Sequence, residues 1–263
     1  NDGQNITSNT ITIMNNAPNK PTLTMPANGN ITTNRTVTFN WSATEPDNEQ
    51  MTFTLNIYCY AFAGGSCPGS GDNRAYSAIT DFNYTLPTGL TYLRDDGFYY
   101  NWTITSADPQ SSTATSDQNN LSVQAYVAIS LPTSNVQLGT IARNSAYNTT
   151  NASGPGPMLI QNDGNVLSQV NMSSTRLFAS GSFPSSNFRL KVDNRTETGS
   201  FNRTGSLTNW TNVGVQNTSV INKLNWSSLS DLAEVDIFVE VPPDESPGNK
   251  SSILTFSAWY PGL

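Results

Sequence analysis

The stretch FYYNWTITSAD at residues 98–108 decides the fold. Phe98, Tyr100, Trp102 and Ile104 occupy alternate positions, and Tyr99, Asn101, Thr103 and Thr105 fall between them. Successive side chains of an extended chain point to opposite faces, so the stretch reads as a strand with an aromatic inner face and a polar outer one. Strands of the same kind flank it. Val37, Phe39 and Trp41 alternate in TVTFNWSAT at 36–44, and Phe53, Leu55, Ile57 and Cys59 alternate in MTFTLNIYCY at 51–60. DFNYTLP at 81–87, the turn LRDDG at 93–97, and NLSVQAYVAIS at 120–130 complete the set, the last offering Leu121, Val123, Ala125 and Val127. Short alternating strands separated by Pro, Gly, Asp and Asn predict an all-β antiparallel sandwich over residues 15–130.

Residues 131–263 repeat the phrasing in outline, with Leu131-Pro132 as the expected boundary. Strands are expected at VQLGTIA (136–142), PMLIQN (157–162), NVLSQVNMS (165–173), FRLKVDN (188–194), SVINKLNW (219–226), AEVDIFVEVP (233–242) and SSILTFSAW (251–259). Asp163-Gly164 reads as a hairpin turn, because both residues tolerate positive φ. SLSDLA at 228–233 hints at one helical turn.

Three phrases carry a resemblance. PTLTMPANG at 21–29, VTFNWSATEPDNEQMTFTL at 37–55 and LRDDGFYYNWTITSAD at 93–108 resemble the fibronectin type III modules of archaeal and bacterial surface proteins. VEVPPDESPGNKSSILTFSAW at 239–259 resembles the last hairpin of immunoglobulin-like repeats in archaeal surface proteins. The resemblance implies two tandem fibronectin type III/immunoglobulin-like sandwiches, with residues 60–77 as an insertion in the first.

Outside both sandwiches lies NITSNTITIM at 5–14, followed by the proline linker NNAPNKP at 15–21. Ile11 and Ile13 share one face, and Thr10, Thr12 and Met14 share the other; Ile6 adds an apolar residue upstream. A strand without a sheet of its own exposes backbone donors and acceptors to a partner chain. Residues 1–14 are therefore expected to act as a donor strand that completes a sandwich in a neighbouring copy. The outcome would be a head-to-tail homopolymer, similar to the strand-donating threads and pili of archaea. A glycan on Asn5 would confine the buried part of the donor to residues 8–14.

Composition sets the surroundings. Only 12% of residues are charged, the formal net charge is −7, and histidine is absent. The usual charged share is about 25%. With few bases there is no patch for nucleic acid, and with no run of 18 or more apolar residues nothing spans a bilayer as a helix. Asn1 begins no signal peptide, and no anchor is evident near Leu263, as expected of a mature subunit. Sixteen Asn-x-Ser/Thr sites are candidates for N-glycosylation: Asn5, Asn30, Asn34, Asn40, Asn83, Asn101, Asn120, Asn148, Asn151, Asn171, Asn194, Asn202, Asn209, Asn217, Asn225 and Asn249. Asn40 and Asn101 lie between inward-facing aromatics, so strand parity turns both outward. Cys59 and Cys67 enclose YAFAGGS and are expected to form a disulfide, which places the chain at an extracellular cell surface.

Catalytic chemistry finds little to work with. The commonest general base and metal ligand, histidine, is missing. The carboxylate pairs Asp95-Asp96 and Asp231/Glu234/Asp236 sit where turns and strand edges ordinarily carry acids, so no enzyme and no cofactor are expected. Glu45, Asp47 and Glu49 supply hard oxygens for a calcium ion but fall short of six ligands. Tyr58, Tyr60 and Tyr76 offer aromatic faces to sugars or to a protein on another cell. The alternative reading is therefore a fragment of a larger stalk, surface-layer or adhesin protein with a carbohydrate-binding role.

Overall fold

The computed structural model describes residues 14–62 (61 and 62 by backbone), 73–87, 93, 98–150, 154–181, 183–226 and 228–261. It forms two all-β units, Asn1–Val123 and Gln124–Leu263, each an open sandwich of two sheets.

In the first unit, β1 (Thr22–Met25), β3 (Thr38–Ser42) and β6 (Asn83–Thr85) form one sheet in the order β1-β3-β6. The other holds β2 (Asn30–Thr32), β4 (Thr52–Phe62), β5 (Arg74–Ile79), β7 (Phe98–Ala107), β8 (Thr113–Thr115) and β9 (Asn119–Val123). Its order is β2-β9-β7-β4-β5, with β8 also on β7. The expected parity holds: Phe39, Trp41, Phe53, Leu55, Ile57, Phe98, Tyr100, Trp102 and Ile104 are all buried. Phe39 meets Trp102 edge to face across the sheets, with centroids 5.0 Å apart, and Trp41 meets Phe53 likewise at 5.5 Å.

Part of the expected insertion is a strand. Arg74–Ile79 pairs with β4, from Ile57↔Arg74 to Phe53↔Ile79. Alternation conceals it because Ala78, at φ 59°, makes a bulge; Tyr76 and Ile79, three positions apart, both pack on the core.

The second unit builds a larger sheet from β10 (Ile129–Thr133), β11 (Ala146–Asn148), β12 (Met158–Asn162), β14 (Phe188–Asp193), β15 (Thr211–Asn212) and β17 (Leu232–Glu240). Its order is β10-β12-β17-β14-β15, with β11 also on β17. The smaller sheet runs β16 (Thr218–Leu224), β13 (Ser168–Ser174), β18 (Leu254–Trp259). Met158, Ile160, Val170, Met172, Leu190, Val192, Ile221, Val235 and Ile237 form its core.

Several expectations need correction. The units divide after Val123, and Ile129 already pairs with Asn162 of the second, so 120–130 is not one strand. Asp163-Gly164 is no hairpin: β12 and β13 belong to different sheets, and the chain crosses between them. Buried Asn162 holds that corner, its Nδ2 donating to Val166 O at 2.8 Å and Leu224 O at 2.9 Å, while its Oδ1 accepts from Gly164 N at 3.0 Å. Glycine is required at 164 because an added Cβ would lie 2.3 Å from Tyr126 O. The link 241–253 likewise joins strands of different sheets rather than closing a hairpin. At 228–233 there is a turn running into β17 instead of a helical turn. VQLGTIA at 136–142 belongs to no strand, although Val136, Leu138 and Ile141 pack against the core.

The 241–253 link is fastened by Glu245, whose Oε2 accepts from Ser180 N at 2.9 Å and Ser180 Oγ at 2.8 Å, and which pairs with Lys250. The Lys250 contact, followed by the Ser180 bonds, lowers the Glu245 carboxyl to about 2. A depressed folded-state value stabilises the fold above the unfolded value near 4.5 and is lost as pH falls from there toward 2. Glu245→Gln is expected to lower the thermal midpoint at pH 7, and the gap from wild type should close between pH 4.5 and 2. A gap independent of pH would assign the fastening to shape alone.

Candidate functional site

Among the described residues, the second sandwich is open along one side. In its smaller sheet the outer edge of β16 is lined by the chain itself, since Asn202 N donates to Asn222 O at 2.9 Å and Leu207 N to Val220 O at 3.0 Å. The opposite edge strand, β18, pairs only with β13 among the described residues. Because β16 packs against β14, β18 falls on the side of β12 and β10.

Apolar side chains on that side are incompletely covered. Leu254, Phe256 and Ala258 of β18 stand opposite the buried Ser174, Met172 and Val170, yet remain half-buried. Ile129 and Leu131 of β10, and Val136, Leu138 and Ile141 beyond it, are in the same condition. Ile253 at 69% exposure and Trp259 at 49% mark the two ends of β18. Segment 136–141 therefore combines inward apolar side chains with a backbone in no sheet, and β18 combines an apolar inner face with an edge that no described strand pairs. One further strand along β18 would pair its edge and cover its apolar inner face. Alternation in VQLGTIA signalled inward apolar side chains at 136–141; that the segment joins no strand could not be read from it.

Of the residues assigned to the donor strand, Met14 is described and is 81% exposed, whereas Ile6, Ile11 and Ile13 lie outside the described residues. Cys59 is disulfide-bonded, and Cys67 lies outside the described residues.

The glycosylation candidates separate by environment. Asn34, Asn83, Asn202, Asn209, Asn217 and Asn249 are exposed; Asn30, Asn40, Asn120, Asn148, Asn171, Asn194 and Asn225 are half-buried; Asn5 and Asn151 lie outside the described residues. Three form local turns onto their own sequon. Asn34 Oδ1 accepts from Thr36 N at 2.8 Å and Thr36 Oγ1 at 2.7 Å, Asn148 Oδ1 from the amide and hydroxyl of Thr150, and Asn202 Oδ1 from Thr204 N at 3.0 Å.

Asn101 departs from expectation. It faces away from Tyr100 and Trp102 as parity requires, but it is only 5% exposed. Tyr58, its cross-strand partner, extends over it to donate to Gln118. A side chain enclosed in this way has no room for a sugar. Glycopeptide mapping is expected to find Asn101 unmodified and Asn34, Asn202 and Asn249 modified; a glycan on Asn101 would show that the outer face of β7 is open.

The acids are committed to neighbours. Arg195 Nε meets Glu234 Oε2 at 2.6 Å, and its Nη2 meets both oxygens of Asp236 at 2.9 and 3.0 Å. Asp231 is raised by burial and then by the charge of Glu197. Asp95 and Asp96 lie outside the described residues. Glu45 Oε1 accepts from Asp47 N at 3.1 Å, and Glu49 Oε1 from Gln110 Nε2 at 3.0 Å; among the described residues no group of three or more His, Cys, Asp or Glu has a metal-holding arrangement. Tyr60 and Tyr99 form an exposed ring pair 6.2 Å apart, while Tyr76 is half-buried against Tyr84 at 4.8 Å. Among the described residues no helix is long and apolar enough to cross a membrane.

No protein-family model matches the chain, and no curated protein matches it. Among solved structures it is similar to an alpha-L-rhamnosidase from Dictyoglumus thermophilum, at 8% identity and a TM-score of 0.27, over 94% of this chain and 28% of that one. It is also similar to the chicken CNTN1 FN1–FN3 domains, at 10% identity and 0.25, over 92% and 65% of the two chains. An alpha-L-rhamnosidase from Streptomyces avermitilis matches at 10% identity and 0.24, over 92% and 23%. The chain spans less than two thirds of the length of each, and likenesses of this strength carry no argument about activity.

Proposed function

We propose that the chain is the repeating subunit of a glycosylated extracellular filament, in which residues 5–14 of one copy lie beside β18 in the second sandwich of the next. The observation that carries this is a β18 edge that no described strand pairs, bordered by the half-buried Leu254, Phe256 and Ala258. An added strand would satisfy that edge and cover those side chains, and the alternation of Ile11 and Ile13 matches the two-residue period such a site demands. Burying two isoleucines contributes roughly 1.5–3 kcal/mol each, in addition to the ladder of backbone bonds. The contact joins unlike surfaces, so it propagates head to tail.

On this reading the chain works by assembly and not by catalysis, takes no cofactor, and meets other cells or surfaces through its glycan-bearing exterior. The exposed Tyr60–Tyr99 pair favours a second role in binding carbohydrate, as an adhesin or stalk would. Deletion of residues 1–14 tests the first reading: ordered fibres from the truncated chain would exclude strand donation.

A further inference from the structure

The segment that follows residues 5–14 is fastened to the first unit by every asparagine it contains. Asn15 Nδ2 donates to Asp108 Oδ2 at 2.9 Å and Ser112 Oγ at 3.0 Å, and Asp108 is itself oriented by Ser112 N, which donates to its Oδ1 at 2.8 Å. Asn16 grips Asp47 with two donors, its N at 2.6 Å from Oδ2 and its Nδ2 at 2.8 Å from Oδ1. Asn19 holds Thr44 in the same two-point manner, N to Thr44 O at 3.0 Å and Nδ2 to Thr44 Oγ1 at 2.8 Å. Lys20 Nζ then reaches Asp117 Oδ1 at 2.6 Å.

NNAPNKP reads from sequence as a turn-prone linker, and a linker of free residues would let the preceding strand point anywhere within its reach. Here the backbone amides of Asn16 and Asn19 are both engaged, and proline restricts φ at 18 and 21. The bonds to Asp47 and Asp108 are charge-assisted, the stronger kind. The loop that carries Asp47 is shaped in turn by Asn48, at φ 59°, whose N donates to Glu45 O.

We propose that Asp47, Asp108 and Thr44 form an intramolecular docking site for residues 15–20, a strap that makes the N-terminal segment leave the first unit in one direction. This rests on the strand-donation reading for its consequence: the strap sets the stiffness of the joint between consecutive subunits. It bears on the geometry of the filament, whereas the groove beside β18 bears on whether a filament forms.

The test uses the full chain with Asp47→Ala and Asp108→Ala together. In the unassembled wild type the Asn16 and Asn19 amides should exchange slowly with solvent, and in the double variant their protection should fall about tenfold or more while that of the core strands is unchanged. Filaments of the variant should still form, with a persistence length at least about twofold shorter in electron micrographs. Fast exchange at both amides in the wild type overturns the strap, and so does exchange unaltered by the double substitution. Lost protection with unchanged filament stiffness overturns its role at the joint. If the wild type fails to polymerise, the strand-donation reading fails instead, and the exchange measurement still decides whether the strap exists.

Discussion

A chain lacking residues 1–14 is expected to remain monomeric under conditions in which the full chain polymerises, and to gain stability when a peptide of residues 5–14 is added in trans. The expectation follows from the open side of the second sandwich, where Leu254, Phe256 and Ala258 are half-buried along an edge with no strand beside it among the described residues. A ligand that binds only the folded state stabilises it by mass action, about 2.7 kcal/mol when present at 100 times its dissociation constant. For a unit of this size that is a rise in thermal midpoint of roughly 5–10 °C. Location is tested by two substitutions on one strand. Ala258→Lys puts a charge into the groove and should abolish the peptide's effect, whereas Thr255→Lys, on the exposed outer face of β18, should leave it intact. A peptide that stabilises neither protein, or both variants equally, places the acceptor elsewhere or removes it.

The second large effect is expected from Arg195→Ala. Glu234 and Asp236 alternate with the core residues of β17 and so belong to its outer face, yet their side chains are 6% and 0% exposed. They tolerate burial because Arg195 meets both, Thr149 Oγ1 donates to Asp236 at 2.9 Å, Thr196 donates to Glu234, and Lys191 lies 3.5 Å from Asp236. Removing one partner of a buried pair leaves an uncompensated charge, which costs about 3–5 kcal/mol when both groups are enclosed. Arg195 is 44% exposed, so solvent screens part of its contribution, and a loss of about 2–4 kcal/mol in urea unfolding is the expected value. Arg143→Ala, at an exposed position, should fall within about 0.5 kcal/mol of wild type. Equal effects at the two sites would mean that water already solvates the carboxylates.

How far the fold was legible depended on whether a feature lies within one strand or between strands. Residues 98–108 were read correctly because inner and outer positions follow from a local two-residue period, which tertiary contacts only reinforce. β5 escaped that reading because a left-handed Ala78 breaks the period, and β2, three residues long and paired in parallel with β9, has too few positions to show one. Asp163-Gly164 is chemically suited to a hairpin, but Asn162, buried in the corner, directs the chain across to the other sheet. Asn101 has the outward parity of a glycosylation site and is covered only because Tyr58 lies across it in space.

The candidate site divides in the same way. By itself the sequence determined an all-β chain of two sandwiches, the aromatic core of the first, a mostly neutral composition rich in sequons, and an N-terminal stretch of alternating residues. Each of these is a property of neighbouring residues, carried by side-chain period and backbone preference. Tertiary structure alone decided which strands share a sheet, that β18 is an edge with a half-covered apolar face among the described residues, that 136–141 packs on the core without joining a strand, and that Asp47 and Asp108 reach the asparagines of 15–20. Those depend on which distant segments meet: an exposed edge is defined by the strand that is missing beside it, and no local pattern records that.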